Sequence, residues 1–384
     1  MSRWRYWAHW LLPPALLAVA VVALLEGDWL AGLGSAPAPL EDVVVERTVL
    51  DDQGIALKYR VDSLDPVNIV QVQVDGAYWQ FSRQPQGPLS RGEAAWLRIP
   101  YMWVAGDAHH LTLVSATGAT FEHSIEVAQA TPQATPAQFG GWTWVGLFVG
   151  LFPVALGMLC YPALRRSGRR VIDFALAVTL GMLGFLFVDT LLEALEQAQR
   201  AASLYQGPML ILLGAATAFI GLRAVSRGSL NGVSLAWRIA LGIGLHNLGE
   251  GLAIGSAVAA GEIALGTFLL LGFTLHNVTE GIGIAAPLTD ARPRLSGWVG
   301  LAALAGLPAV AGCWIGAYAF SPQLAALFLA LGAGAILQVL VDVGLYLRGR
   351  LAAASQTGGG QRLLAMGLLG GVGVMYATAL LVSG

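Results

Sequence analysis

Two stretches decide how this chain is read: "LGIGLHNLGEGLAIGSAV" at 241–258 and "LLGFTLHNVTEGIGIAAPL" at 270–288. Each is apolar apart from one polar cluster, His246, Asn247 and Glu250 in the first and His276, Asn277 and Glu280 in the second. Residues three and four apart share a helix face, so each stretch, as a helix, presents an imidazole, an amide and a carboxylate within one turn. Antiparallel spans of about 20–25 residues joined by a short turn have midpoints roughly 30 residues apart, which sets His246 and His276 at similar depth. Six ligand-type groups are therefore expected to converge on one place. A carboxylate at membrane depth is costly unless it is paired or holds a cation, and neither stretch contains a lysine or arginine. A lone polar residue in such a helix commonly serves as a link between helices. The duplication at matched spacing favours a divalent cation site instead, with the surrounding glycines permitting close helix approach.

The rest of the chain supplies the bilayer setting. Of its 384 residues 56% are hydrophobic and 11% charged, against about 25% charged in soluble domains, and the mean hydropathy is +0.66. Eight apolar segments follow Trp142, at about 142–163, 171–195, 208–224, 237–258, 263–287, 297–319, 323–346 and 363–382. They predict a membrane all-α helical bundle over 142–384. Alternate connections ("RRSGRR", "RAVSRGSLNGVSLAWR", "DARPRLSG", "YLRGRLAAASQTGGGQR") are rich in arginine, and those between them ("EQAQRAASLYQGP", "AAGE", "FSPQ") are poor in it. Arginine-rich connections mark the cytoplasmic side. The pattern gives an inner-membrane, multi-pass protein with both bundle ends outside.

Ahead of the bundle, residues 1–30 read as an N-terminal transmembrane helix or signal anchor, with Arg3 and Arg5 inside. Residues 41–130 alternate with period two between turn residues, as in "VNIVQVQVDGAYWQFS" and "HHLTLVSATGATFEHSIEVA". They predict a small extracytoplasmic, immunoglobulin-like β-sandwich, with Tyr78, Trp79, Phe81, Trp96, Tyr101 and Trp103 as its core. His109, His110 and His123 are read as surface or turn residues, and 131–141 as a linker. Cys160 and Cys313 read as small buried hydrophobes. Three further acids in the spans, Asp189, Glu193 and Asp342, are possible pathway residues, the first two toward the outside and the last toward the inside.

"HNLGEG" and "HNVTEG" resemble the fourth- and fifth-helix motifs of the ZIP (zinc/iron-regulated transporter-like) family, and the resemblance extends over about 142–384. "GMLGFLFVDTLLEAL" resembles that family's second helix and "GAGAILQVLVDVGLYL" its seventh. The resemblance implies eight helices, a long cytoplasmic loop between the third and fourth, and a metal site of His246, Asn247, Glu250, His276, Asn277 and Glu280. This sequence lacks the proline common inside both motifs, and Leu307 stands before Pro308 where some members carry a bridging glutamate. One metal position shared by the two helices is therefore expected.

The function expected is transport of a divalent metal toward the cytoplasm, zinc ahead of iron or manganese, with the metal as substrate and no enzymatic step. Release by protonation of the carboxylates or imidazoles is part of the expected cycle. No nucleotide-binding G-x-x-x-x-G-K-[ST] string is present. Two alternatives stay open, an intramembrane metal-dependent hydrolase and a metal-sensing membrane protein. Expected partners are the lipid bilayer, a second copy of the chain as a homodimer, and an extracytoplasmic partner of the β-domain. The near-neutral charge, with pI ≈ 6.3, points away from nucleic acid.

Overall fold

The computed structural model describes residues 15–17, 19, 40–225, 231–260, 262–352 and 360–382. The N-terminal helix expected over 1–30 lies almost entirely outside them. Residues Asp42–Gly384 form one compact unit, which contains both the β region and the helices.

Alternating side chains build two four-stranded antiparallel sheets. The strands are β1 (Val43–Asp51), β2 (Gly54–Val61), β3 (Ile69–Val74), β4 (Ala77–Trp79), β5 (Ser82–Gln84), β6 (Ala94–Ile99), β7 (His109–Ser115) and β8 (Thr120–Ile125). Their orders are β1-β2-β6-β5 and β4-β3-β7-β8. Ile55, Leu57, Leu97, Ile99, Leu111 and Leu113 face inward and are fully buried, together with Tyr59. The core is thus aliphatic, which corrects the expectation of an aromatic one. Tyr78, Trp79 and Trp96 are exposed, while Phe81, Tyr101 and Trp103 pack at its margin. Trp96 sits between buried Ala95 and Leu97, and strand alternation turns it outward. The same alternation separates buried His109 from exposed His110.

Eight long helical segments follow: α1 (Pro136–Arg166), α2 (Arg169–Gln199), α3 (Gly207–Val225), α4 (Gly232–Ala259), α5 (Ile263–Ala285), α6 (Leu295–Ala319), α7 (Pro322–Ala352) and α8 (Gly360–Val382). Seven of them, all but α4, are long and apolar enough to cross a membrane. The chain is a multi-pass membrane protein with a small β region. α4 has 28 residues, ample length, but its polar motif dilutes its hydropathy.

Caps move two boundaries from where the apolar runs put them. Thr135 accepts from Gln138 N, and Pro136 follows at the first helical position, so α1 begins inside the stretch read as a linker. Asn231 and Ser234 form a reciprocal capping box, which starts α4 at Gly232. The α3–α4 connection is therefore only 226–231, not the long loop that the family resemblance implies.

Polar contacts fasten the sandwich to the arginine-poor connections. Arg47 Nη1 donates to Tyr318 O (2.5 Å), and Gln323 Nε2 donates to Glu46 Oε1 (3.1 Å). The Asp62 carboxylate accepts from the backbone of Ser203 (2.5 Å) and Leu204 (3.2 Å), capping the turn Ser203–Tyr205. Burial pushes the Glu46 carboxyl upward, but the hydrogen bond and charge of Arg60, with Lys58, outweigh it and hold it below the ordinary value. A carboxylate depressed in this way contributes stability above its unfolded pKa, and that contribution is lost as pH falls through the folded one. Proteolysis of the 126–135 segment is expected to accelerate as pH drops below about 4.3, and Glu46→Gln to flatten that pH step.

Candidate metal centre

Helical spacing brings His246 above Glu250 on α4 and His276 above Glu280 on α5. All four side chains are buried, and the imidazole centroids lie 6.4 Å apart. His276 Nε2 is 2.5 Å from Glu250 Oε1, and Asn277 Nδ2 donates to Glu250 Oε2 at 2.9 Å. His246 Nε2 approaches the same Oε1 to 3.2 Å without hydrogen-bond geometry. Its Nδ1 is 3.2 Å from Thr190 Oγ1 on α2, which orients the ring with Nε2 toward α5. One ligand atom each from His246, His276 and Glu280 lie within 4.8 Å of one another.

The two glutamates differ. Glu250 is well supplied with donors, whereas neither buried carboxylate oxygen of Glu280 meets a donor in hydrogen-bond geometry among the described residues. Among the described residues ten buried side-chain polar atoms lack a partner, and five belong to the two motifs: His246 Nε2, Asn247 Oδ1, Asn277 Oδ1 and both Glu280 oxygens. Buried polar groups are nearly always satisfied, so this concentration of lone pairs makes the two motifs the candidate ligand site among the described residues. Nitrogen and oxygen donors without thiolate suit a borderline divalent cation held reversibly.

The asparagine amides brace neighbouring helices, a role that the sequence does not disclose. Pro153 has no N–H for the carbonyl four residues earlier, that of Val149, and a π-helical turn, Leu147–Leu151, precedes it. Asn277 Nδ2 donates to that carbonyl at 3.0 Å. Pro308 divides α6 into Leu295–Gly306 and Pro308–Ala319, and Asn247 Nδ2 donates to Ala305 O at 3.1 Å. Each amide thus braces a proline-broken helix, and two acceptors around Asn277 Nδ2 fix its orientation. Six groups do not converge equally: the two histidines and two glutamates form the cluster, while the asparagine amides reach helix carbonyls, Asn277 also holding Glu250, and keep their Oδ1 atoms unpartnered.

The two crossings repeat each other. A Cβ at Gly281 of α5 would strike Val154 O, one residue after Pro153, and a Cβ at Gly251 of α4 would strike Ala309 O, one residue after Pro308. Gly281 and Gly251 occupy the same place in the two motifs, so α1 packs on α5 as α6 packs on α4. Gly281→Val is expected to cost about 1–3 kcal/mol through overpacking, read as a lower unfolding temperature of the purified protein.

Asp189 and Glu193 line the same cavity, of about 990 Å³, as His246, Glu250 and His276. Asp342 does not. Arg238 Nη1 holds its Oδ2 at 2.9 Å, and Gln338 donates to the same oxygen. From the sequence Arg238 counts with the arginine-rich connection "RAVSRGSLNGVSLAWR", whereas it stands inside α4, which begins at Gly232. Neither a scan of protein-family models nor a search of curated proteins gives a match.

Proposed function

We propose that this chain carries divalent metal cations across a membrane through the His246–Glu250–His276–Glu280 cluster, with zinc first and iron(II) and manganese(II) next. The observation that carries this reading is the set of unpartnered buried ligand atoms on α4 and α5, one of whose residues, His246, lines a cavity that continues to the sandwich. A structural polar link would be expected to satisfy its own atoms. An imidazole from each helix favours zinc over manganese, and the motif resemblance to ZIP transporters points the same way.

An incoming cation sheds water for His246 Nε2, His276 Nε2 and Glu280, while the Asn247 and Asn277 Oδ1 atoms are at hand as neutral donors. His276 Nε2 exchanges Glu250 for the ion, and the two carboxylates balance its charge where hydrocarbon surrounds the bundle. Thr190 keeps His246 aimed throughout. The proline breaks in α1 and α6, braced by the asparagines, are where helices bend as the cavity closes on one side and opens on the other. Arginine-rich connections lie away from the sandwich, so the positive-inside rule gives a cytoplasmic arginine end and movement toward the cytoplasm.

The test is uptake of radioactive zinc, iron or manganese by proteoliposomes containing the purified chain. Uptake is expected to saturate and to fall to the protein-free rate with His276→Ala. If the protein moves none of the three ions, or if His276→Ala moves them normally, the reading fails.

A further inference from the structure

The cavity that reaches the cluster is not bounded by helices alone. Arg47 and Thr48 of β1, His123 of β8 and Glu126 just beyond it line the same space as Asp189, Glu193, His246, Glu250 and His276. The sandwich is held over this space by Arg47 on Tyr318 O, Gln323 on Glu46, and Asp62 on the Ser203–Leu204 backbone. It is therefore anchored on the α2–α3 connection and at the α6–α7 junction. On the far side of the cluster the bundle is filled by Leu235, Ile239, Ile243, Val339 and Val343 and closed by the Arg238–Asp342 pair.

We propose that the sandwich forms the outer wall of the ion path and that His123 is a first, transient ligand for the incoming divalent cation. This rests on the cluster being a metal site. His123 Nε2 is 2.8 Å from Thr48 Oγ1, which fixes the ring and leaves Nδ1 for a ligand. Burial holds this imidazole below its ordinary pKa, so it is neutral, and hence able to coordinate, at neutral pH. The charges around it favour a cation. Glu46, Glu126, Asp189, Glu193, Glu196 and Glu262 line the cavity against two arginines, Arg47 and Arg200, the second paired with Glu196 at 2.7 Å. A negatively charged cleft raises the local concentration of cations and their rate of arrival. His123 thus acts on capture, and the cluster determines how tightly the ion is finally held.

The test uses the full chain and zinc alone. His123→Gln is expected to raise the KM for zinc uptake roughly 10-fold with the maximal rate preserved, and to leave equilibrium zinc binding unchanged. In a second arm Thr48→Cys, in a Cys160→Ser background, is labelled with a bulky thiol reagent. Cys313 is buried and stays unlabelled. Labelling is expected to slow zinc association with the cluster at least 10-fold in stopped-flow measurements on detergent-solubilised protein, relative to the unlabelled variant. Unchanged association after labelling, or an unchanged KM in His123→Gln, overturns the proposal. A chain that binds zinc but transports none sinks the transport reading alone, because the association arm still decides this one. A chain that binds no zinc sinks both.

Discussion

Glu280→Gln is expected to weaken metal binding severely and, at the same time, to stabilise the metal-free protein. The two effects have one origin. Both Glu280 oxygens are buried without a donor in hydrogen-bond geometry among the described residues, and a buried carboxylate left uncompensated costs far more than a neutral group of the same shape. The glutamine keeps the volume and removes the charge, so the apo protein should unfold at a higher temperature, by the equivalent of about 1–3 kcal/mol. Loss of a charged ligand should weaken zinc binding by about 100-fold or more, at or beyond the 10–100-fold seen when only a supporting contact is removed. Zinc titration with thermal unfolding reads both quantities in one experiment. A structural role predicts the reverse: an apo protein that loses stability and a variant that responds to zinc as the wild type does.

Asp342→Ala is expected to act on stability rather than on the metal. Asp342 is buried and held by Arg238 and Gln338, joining α4 to α7 through a pair whose side chains are 4% and 13% exposed. Removing one partner leaves an uncompensated buried charge, at a cost of about 3–5 kcal/mol. The double variant Asp342→Leu, Arg238→Met should recover most of that loss, because replacing both charges by apolar groups is often neutral or better. Denaturation of the singles and the double forms a cycle that measures the coupling. A metal affinity that falls in Asp342→Ala while stability holds would return Asp342 to the ion path.

The helices were legible in the sequence because apolar runs of spanning length leave few other solutions in a bilayer. Their ends were not, since caps such as Thr135 and Asn231 lie outside the apolar runs. A helical wheel places His246 with Glu250 and His276 with Glu280, and the matched spacing of the two motifs sets the helices at one depth. It is silent on what each amide will reach. The partners of Asn247 and Asn277 are carbonyls beside Pro308 and Pro153, prolines whose common role shows only when α1 and α6 are seen against α5 and α4. The Arg238–Asp342 pair, separated by 104 residues, left no local signal. In the β region alternation predicts strands but not which residues of each strand face in, and aromatic size is no guide to burial there, as exposed Trp79 and Trp96 show.

The most direct measurement is anomalous scattering at the zinc edge from crystals of the chain soaked in zinc. One peak is predicted within about 2.0–2.2 Å of a nitrogen of His246, a nitrogen of His276 and an oxygen of Glu280, absent from Glu280→Gln crystals treated identically. A zinc-soaked structure with no density among these three side chains, or a peak that survives Glu280→Gln unchanged, would contradict the metal centre on which the rest depends.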